Sequence, residues 1–215
     1  MSYIVKLGID EKQENNVVQS ELSEELVAWV FPHALEKWEK INLKKRKQIL
    51  VKLNEKALVY NKENFIQELS SGLYRVNRKE GLEDHKIVFL EKNLITLKWG
   101  ITQMQGVLTS DNIKVGASGT VSLTLSGTEV FVLNVLKSKT SFSRKELRPI
   151  INNIVKSALR EVFPQYSIEE LQKLSKDELL IFFEPIIVEE LQKLGFSSQD
   201  ISLGALGIPP EYRIL

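Results

Sequence analysis

The sequence contains no cysteine and only two histidines in 215 residues. The lack of cysteine excludes disulfide scaffolds, thiolate metal sites and cysteine nucleophiles, and it permits a reducing compartment. His33 and His85 are far apart and have polar or charged neighbours, so their spacing does not resemble a zinc site. We therefore expect a cytoplasmic protein without a metal ion or another cofactor.

An excess of charge of one sign is also missing. Lysine and arginine number 29 against 28 acidic residues, a net charge of +1, so no overall field attracts nucleic acid. The one dense charge run is Lys44, Lys45, Arg46 and Lys47. It is either a solvated turn or a contact for anionic lipid headgroups, where each basic residue near the surface contributes about 1 kcal/mol. We expect no nucleic-acid partner, because the aromatic residues fall in apolar patterns rather than between basic residues.

Long hydrophobic runs are absent as well. The runs Leu179–Phe183 and Ile186–Val188 are among the longest, and they are far shorter than the roughly 20 residues that cross a bilayer. Residues 1–16 lack the charged region and the apolar core of a signal peptide. We expect a protein that is not exported and whose membrane contact is peripheral, on the inner face of the membrane.

Motifs of catalysis are missing too. Neither GxxxxGK(S/T) nor GxGxxG occurs, so the phosphate cradles of nucleotide enzymes are absent. Asp84 and His85 would supply half of a catalytic pair, but no nucleophile elbow accompanies them, and Ser118 lies in a strand pattern. Neighbouring glutamates near residues 170 and 190 alternate with lysines, which is typical of solvated helix faces. We expect no enzymatic activity and identify no small-molecule substrate.

The sequence does contain two contrasting periodicities. Over residues 112–126 apolar and polar residues alternate, which predicts a long half-buried strand with a bulge or bend at Gly116 and Gly119. Over residues 143–162 apolar residues recur at i, i+3, i+4 and i+7, which predicts an amphipathic helix. We expect its apolar stripe to pack on strands from the first half of the chain, in one continuous core.

The order of these patterns predicts an α+β fold. An antiparallel or mixed twisted β-sheet occupies the first two thirds, and the last third forms a helical side. Residues 49–53 and 57–60 are expected to form a hairpin. We expect an N-terminal arm over residues 1–24 and a single domain over residues 25–215. Its parts are a strand-rich region (25–140), a helical region (141–196) and a short terminal strand near 201–206.

Two helices are predicted after residue 164. The pairs Ser167–Glu170 and Ser175–Glu178 have the spacing of a capping box, which satisfies free amides at a helix start. Gly195 has the position that ends the longer helix, and Pro185 is expected to kink it.

The longer helix is apolar on more than one side. One predicted face is formed by Leu180, Phe183, Ile187, Leu191 and Leu194. Phe182 lies nearly opposite at 3.6 residues per turn, and Ile181 and Val188 lie on one flank. A helix that is apolar all round is buried on every side. The cover over Phe182 is either a second contact within the chain, from the terminal strand or the tail, or a subunit interface.

Several short motifs follow one another in an order that is similar to a known family. They are Leu26-Val27-Ala28-Trp29, Ile49-Leu50-Val51, Glu55–Tyr60, Gly72-Leu73-Tyr74, Lys98-Trp99-Gly100, Asp111, the long alternating strand and Leu194-Gly195-Phe196. This order resembles the SPFH superfamily (band 7 or PHB domain) of stomatins, prohibitins and flotillins, over roughly residues 25–210. It looks closest to the prokaryotic virion-core-protein-like branch, whose KWGT motif has Ile101 here in place of threonine.

The resemblance implies a twisted β-sheet domain with a helical side that serves as a self-assembling scaffold at membranes and not as an enzyme. Typical members also carry an N-terminal hydrophobic anchor and a long C-terminal coiled coil, which this sequence lacks. We therefore expect either a minimal soluble member or part of a longer protein. The leading hypothesis is a non-catalytic scaffold that forms homo-oligomers. The alternatives are a small-ligand or partner-binding protein on the same fold, or an enzyme with a dispersed site.

Overall fold

The computed structural model describes residues 4–8, 17–31, 48–76, 82 and 85–213. The chain divides into two compact units. The first comprises Met1–Asn93 with Leu136–Ser143, and the second comprises Leu94–Val135 with Arg144–Leu215. The single domain over residues 25–215 stays a prediction, because compactness of each unit does not test whether the two fold together.

The described residues form strands and helices in an α+β order, which confirms the predicted fold class. The strands are β1 (Ile4–Lys6), β2 (Val17–Gln19), β3 (Leu26–Phe31), β4 (Gln48–Val51), β5 (Glu55–Asn61), β6 (Asn64–Leu69), β7 (Gly72–Val76), β8 (His85–Glu91), β9 (Ile95–Ile101), β10 (Val107–Leu108), β11 (Lys114–Leu125), β12 (Ser141–Ser143) and β13 (Phe196–Gly207). The helices are α1 (Thr128–Phe131), α2 (Arg144–Val162), α3 (Ile168–Lys173) and α4 (Lys176–Lys193), with a π-helical segment at Val132–Leu136 and short 3₁₀ segments at Gln103–Gln105, Phe163–Gln165 and Pro210–Tyr212.

The first unit contains two sheets, ordered β1-β7-β4-β2 and β12-β3-β8-β5-β6. The predicted hairpin of residues 49–53 and 57–60 is wrong, because β4 pairs with β7 and β2 whereas β5 pairs with β6 and β8. The chain passes from one sheet to the other at Glu55, whose side chain is buried. The hairpin that does form joins β5 to β6 through Lys62 and Glu63, which both have positive φ.

Apolar side chains from both sheets form the core of the first unit. Ile49 and Val51 come from one sheet, and Val59 and Phe89 come from the other. Trp29 lies among them, with its ring centroid 5.8 Å from that of Phe89. Burying apolar faces between two sheets is the usual way in which such sheets are stabilised.

The second unit is built around β11, the long strand that the alternating pattern predicted. It pairs with β13 along one edge and with β9 and β10 along the other. A register shift lies between Ser118 and Gly119, at one of the two glycines where a bend was expected. A Cβ atom on Gly119 would clash with the Ser202 carbonyl oxygen, so the close approach of β13 requires glycine here.

The helices of the second unit pack on this sheet and on each other. Helix α2 contacts β9, β10 and α4, and α4 contacts β13. The packing of α2 on strands from the first half of the chain is therefore confirmed. Its buried positions are Leu147, Ile151, Ile154, Val155, Ala158, Leu159 and Val162.

Two stretches differ from the predicted layout. Residues 128–136, within the region expected to be strand-rich, are helical, because the amides of Ser126 and Gly127 donate to the Gly195 carbonyl oxygen and turn the chain (3.1 and 2.9 Å). The terminal strand is longer than expected, since β13 pairs with β11 over its whole length. Gly195 ends α4 with φ of 85°, as predicted.

Candidate functional site

The residues considered for catalysis lie on separate strands or outside the described part of the chain. Ser118 lies within β11, as the sequence indicated, and His85 is buried in β8. Asp84 and His33 lie outside the described residues. Within the described part of the chain, no group of His, Asp and Glu could hold a metal ion.

The carboxylate pairs on the helices form exposed ion pairs. Lys193 lies 2.9 Å from Glu189 and 2.7 Å from Glu190, and Lys173 lies 2.6 Å from Glu169. These hydrogen bonds raise the pKa of Lys193 and lower the pKa of Glu189. Exposed pairs of this kind contribute little to stability, and the arrangement matches the solvated faces that the sequence predicted.

Asp111 belongs to the ordered motifs and has a structural position. The Thr109 hydroxyl donates to its carboxylate, and the Ile168 backbone amide lies 3.2 Å from each of its carboxylate oxygens. The hydrogen bond from Thr109 is the main cause that lowers the pKa of Asp111. The side chain therefore connects the turn before β11 to the start of α3, next to the capping box of Ser167.

The first unit contains a buried polar cluster around the carboxylate of Glu55. The Ser20 hydroxyl donates to Glu55, and the Lys52 ammonium lies 3.6 Å from the same carboxylate. Lys52 also donates to the Ser20 carbonyl oxygen at 3.0 Å. A buried carboxylate needs such partners. This group fastens the segment after β2 to the crossing between β4 and β5.

A shallow groove of about 330 Å³ lies at one end of the sheet of the second unit. Its lining is formed by residues 100–103, 117–118 and 205–207. None of these residues carries a charge. The groove therefore has no ionisable group with which to orient a ligand or perform acid–base chemistry.

Helix α4 packs one face on its own unit. The buried positions are Leu179, Phe183, Ile187 and Leu191. Leu180 and Leu194, which the sequence placed on this face, are only half-buried, and Leu179 takes the first position instead. Both capping boxes predicted before α3 and α4 are present, and α4 continues through Pro185.

The opposite side of α4 exposes large apolar side chains. Ile181 is 67% exposed and Phe182 is 44% exposed. Val188 is half-buried on the flank. We call Ile181, Phe182 and Val188 the outer patch of α4. The ring of Tyr166 lies 5.8 Å from that of Phe182 between centroids and covers it in part.

The sequence analysis missed further exposed apolar residues in the helical stretch before residue 137. Leu133 is 73% exposed and Val130 is 39% exposed. Asn134 connects this stretch to the end of α4 by donating to the Lys193 carbonyl oxygen at 2.9 Å. An apolar run of this length fits a strand or a helix equally well, so periodicity alone did not reveal an exposed face.

The predicted lipid contact at Lys44, Lys45, Arg46 and Lys47 lies outside the described residues. It therefore stays a prediction. Among the described helices, none is long and apolar enough to cross a membrane.

One comparison with known proteins agrees with the order of motifs from residue 49 onward. A comparison with curated protein sequences gave no match. The family model described as SPFH domain / Band 7 family matches residues 49–214, which run from β4 to the end of the second unit. The chain therefore belongs to the SPFH domain / Band 7 family, a family of membrane-associated, scaffold-like domains.

Proposed function

We propose that this chain is a non-catalytic scaffold domain that assembles with copies of itself and lies peripherally on the cytoplasmic face of a membrane. The observation that carries the proposal is the outer patch of α4, where Ile181 and Phe182 are exposed on a helix already packed on the other side. The order of motifs favours the virion-core-protein-like branch of the family.

A second copy of this chain is the partner that best fits the outer patch. Exposed aromatic and aliphatic side chains on an ordered helix are typical of protein–protein contacts. The family consists of scaffold-like domains, and contact between copies of this chain would agree with that membership. Glu184 lies between Phe182 and Val188 in the sequence and is exposed, which gives the apolar patch a polar neighbour on the same helix.

The test is the native mass measured by light scattering at micromolar concentration. We expect the wild type to exceed the monomer mass, and Phe182→Glu and Ile181→Glu to lower it while the circular dichroism spectrum stays folded. Ile181→Glu is needed because Phe182 also contacts the ring of Tyr166 within the chain, so that Phe182→Glu changes an internal contact as well. Met104→Glu is the matched control, since Met104 is 89% exposed on the same unit outside α4. A monomeric wild type, or an unchanged mass for both α4 variants, would reject the assembly.

A further inference from the structure

One side of helix α2 carries a row of basic residues. Lys145, Arg148, Lys156 and Arg160 lie, together with Asn152, within an arc of about 120° at 3.6 residues per turn. The row extends about 22 Å along the helix at 1.5 Å per residue. We call these four basic residues the α2 stripe.

The α2 stripe borders the buried face of the helix, since the buried Leu159 falls within the same arc. Lys145, Arg148 and Arg160 are exposed, and Lys156 is half-buried. The two acidic residues of α2, Glu146 and Glu161, lie outside the arc of the stripe. Every ionisable side chain within the arc is therefore positively charged.

Lys173 and Lys193, at the ends of α3 and α4, differ from the α2 stripe in their neighbours. Lys173 and Lys193 each pair with a glutamate one turn earlier, Glu169 and Glu189. The members of the stripe have no acidic residue three or four positions away. Among the described residues, no ion pair is found for any of the four.

This arrangement destabilises the isolated helix. Lys156 and Arg160 are like charges at i and i+4, which repel each other across one turn. The repulsion disappears when an anionic surface neutralises the stripe. The charge pattern is therefore one that an anionic partner would stabilise.

The rotation of α2 is fixed in the middle of the stripe. The Asn152 side-chain oxygen accepts a hydrogen bond from the Gly100 amide at 3.2 Å. This bond holds α2 against β9, which also carries the exposed Lys98. The stripe is therefore presented by an ordered helix whose orientation the sheet determines.

We propose that the α2 stripe is the surface through which this chain contacts an anionic lipid bilayer. The inference rests on the peripheral membrane location proposed above and names the contact. A row of separate cations along one helix suits a plane of headgroups, whereas a single bound phosphate requires cations that converge on one point. The arc contains no aromatic residue on which the bases of a single-stranded nucleic acid would stack.

The test is flotation with vesicles of phosphatidylcholine containing about 30% phosphatidylserine, compared with vesicles of phosphatidylcholine alone. The variant carries Lys145→Gln, Arg148→Gln, Lys156→Gln and Arg160→Gln, because glutamine keeps a high helix propensity. We expect its partition coefficient to fall about 100- to 1000-fold, at about fivefold per charge. Binding of the wild type should weaken as salt shortens the Debye length.

The matched control removes the same number of charges elsewhere. It carries Lys92→Gln, Lys114→Gln, Lys137→Gln and Lys176→Gln, four exposed lysines outside α2. We expect the control to bind within a few-fold of the wild type. Both variants must first show a cooperative thermal transition like that of the wild type, and if the combined α2 variant fails to fold, the pairs Lys145→Gln with Arg148→Gln and Lys156→Gln with Arg160→Gln replace it.

Three outcomes would overturn the inference. Equal loss in both variants would mean that net charge alone drives binding. Wild-type affinity in the α2 variant would move the contact to another surface and leave the membrane location standing. If the wild type binds no anionic vesicle but binds duplex DNA, the stripe is a nucleic-acid contact and the proposed membrane location fails too. Self-assembly is measured separately, by determining the native mass of the same proteins with light scattering.

Discussion

Helices α2 and α4 pack beside each other on one sheet, yet their outer sides are opposite in character. Helix α2 exposes the α2 stripe, whose cations have no acidic neighbour on the same face. Helix α4 exposes the apolar outer patch, and Lys193 at its end is neutralised by Glu189 and Glu190. Each helix therefore buries only one face against the sheet and its neighbouring helix. The remaining faces are available for an anionic surface in one case and for an apolar partner in the other.

The largest expected effect comes from placing a charge on the buried face of α2. Ile154→Asp places an unpaired charge where Ile154 is only 9% exposed. We expect a loss of about 3–5 kcal/mol from a total unfolding free energy of roughly 5–15 kcal/mol. Thermal denaturation followed by circular dichroism measures this change. Ser157→Asp, on the exposed side of α2, is the control, and equal melting temperatures for the two variants would contradict the packing.

A smaller effect is expected at the end of α4, where the chain turns into β13. Gly195 has φ of 85°, and a Cβ atom there would clash with the Gly127 carbonyl oxygen. We expect Gly195→Ala to lower the unfolding free energy by about 1–3 kcal/mol, measured by urea denaturation. Gly8→Ala is the control, because nothing lies within 4 Å of a Cβ atom there. Similar denaturation midpoints for both variants would mean that the turn does not need glycine.

The smallest effect concerns the start of α4 and depends on pH. The backbone amide of Ser175 donates to Glu178 at 2.7 Å, and this bond is the main cause that lowers the pKa of Glu178. A lowered folded pKa stabilises the protein fully above the unfolded value of about 4.3, and this contribution is lost as the pH falls through the folded pKa.

We therefore expect Glu178→Gln to be less stable than the wild type at neutral pH, and the difference to shrink below about pH 4. Urea denaturation at several pH values measures it. Glu211→Gln is the control, since Glu211 is an exposed carboxylate outside α4. A difference that grows on acidification would contradict the role of the ionised capping side chain.

Local patterns in the sequence predicted β11, α2 and the starts of α3 and α4 in the second unit correctly. Strand β11, helix α2 and the two capping boxes each depend on residues close together in the chain, so periodicity and spacing were sufficient. The first unit was predicted less well. Whether β4 pairs with β5 or with β7 depends on contacts far apart in sequence, and Ser20, which holds Glu55 at the crossing, could not be connected to it from spacing.

The candidate surfaces were predicted in part. The positions of Phe182 and Ile181 follow from 3.6 residues per turn, and the structure places both among the exposed residues. The buried face begins at Leu179 rather than at Leu180. The α2 stripe was overlooked because only the apolar positions of that helix were considered. The assembly contact and the lipid contact stay predictions.

The most direct test of self-assembly through α4 is the thiol-labelling rate of Ile181→Cys. The sequence has no cysteine, so the introduced thiol is the only one that reacts. The rate is measured from nanomolar to micromolar protein concentration, with Met104→Cys as the exposed control. We predict that labelling at position 181 slows as the concentration rises, while labelling at position 104 stays constant. Equal rates for Ile181→Cys over the whole range, with a folded spectrum, would contradict the account.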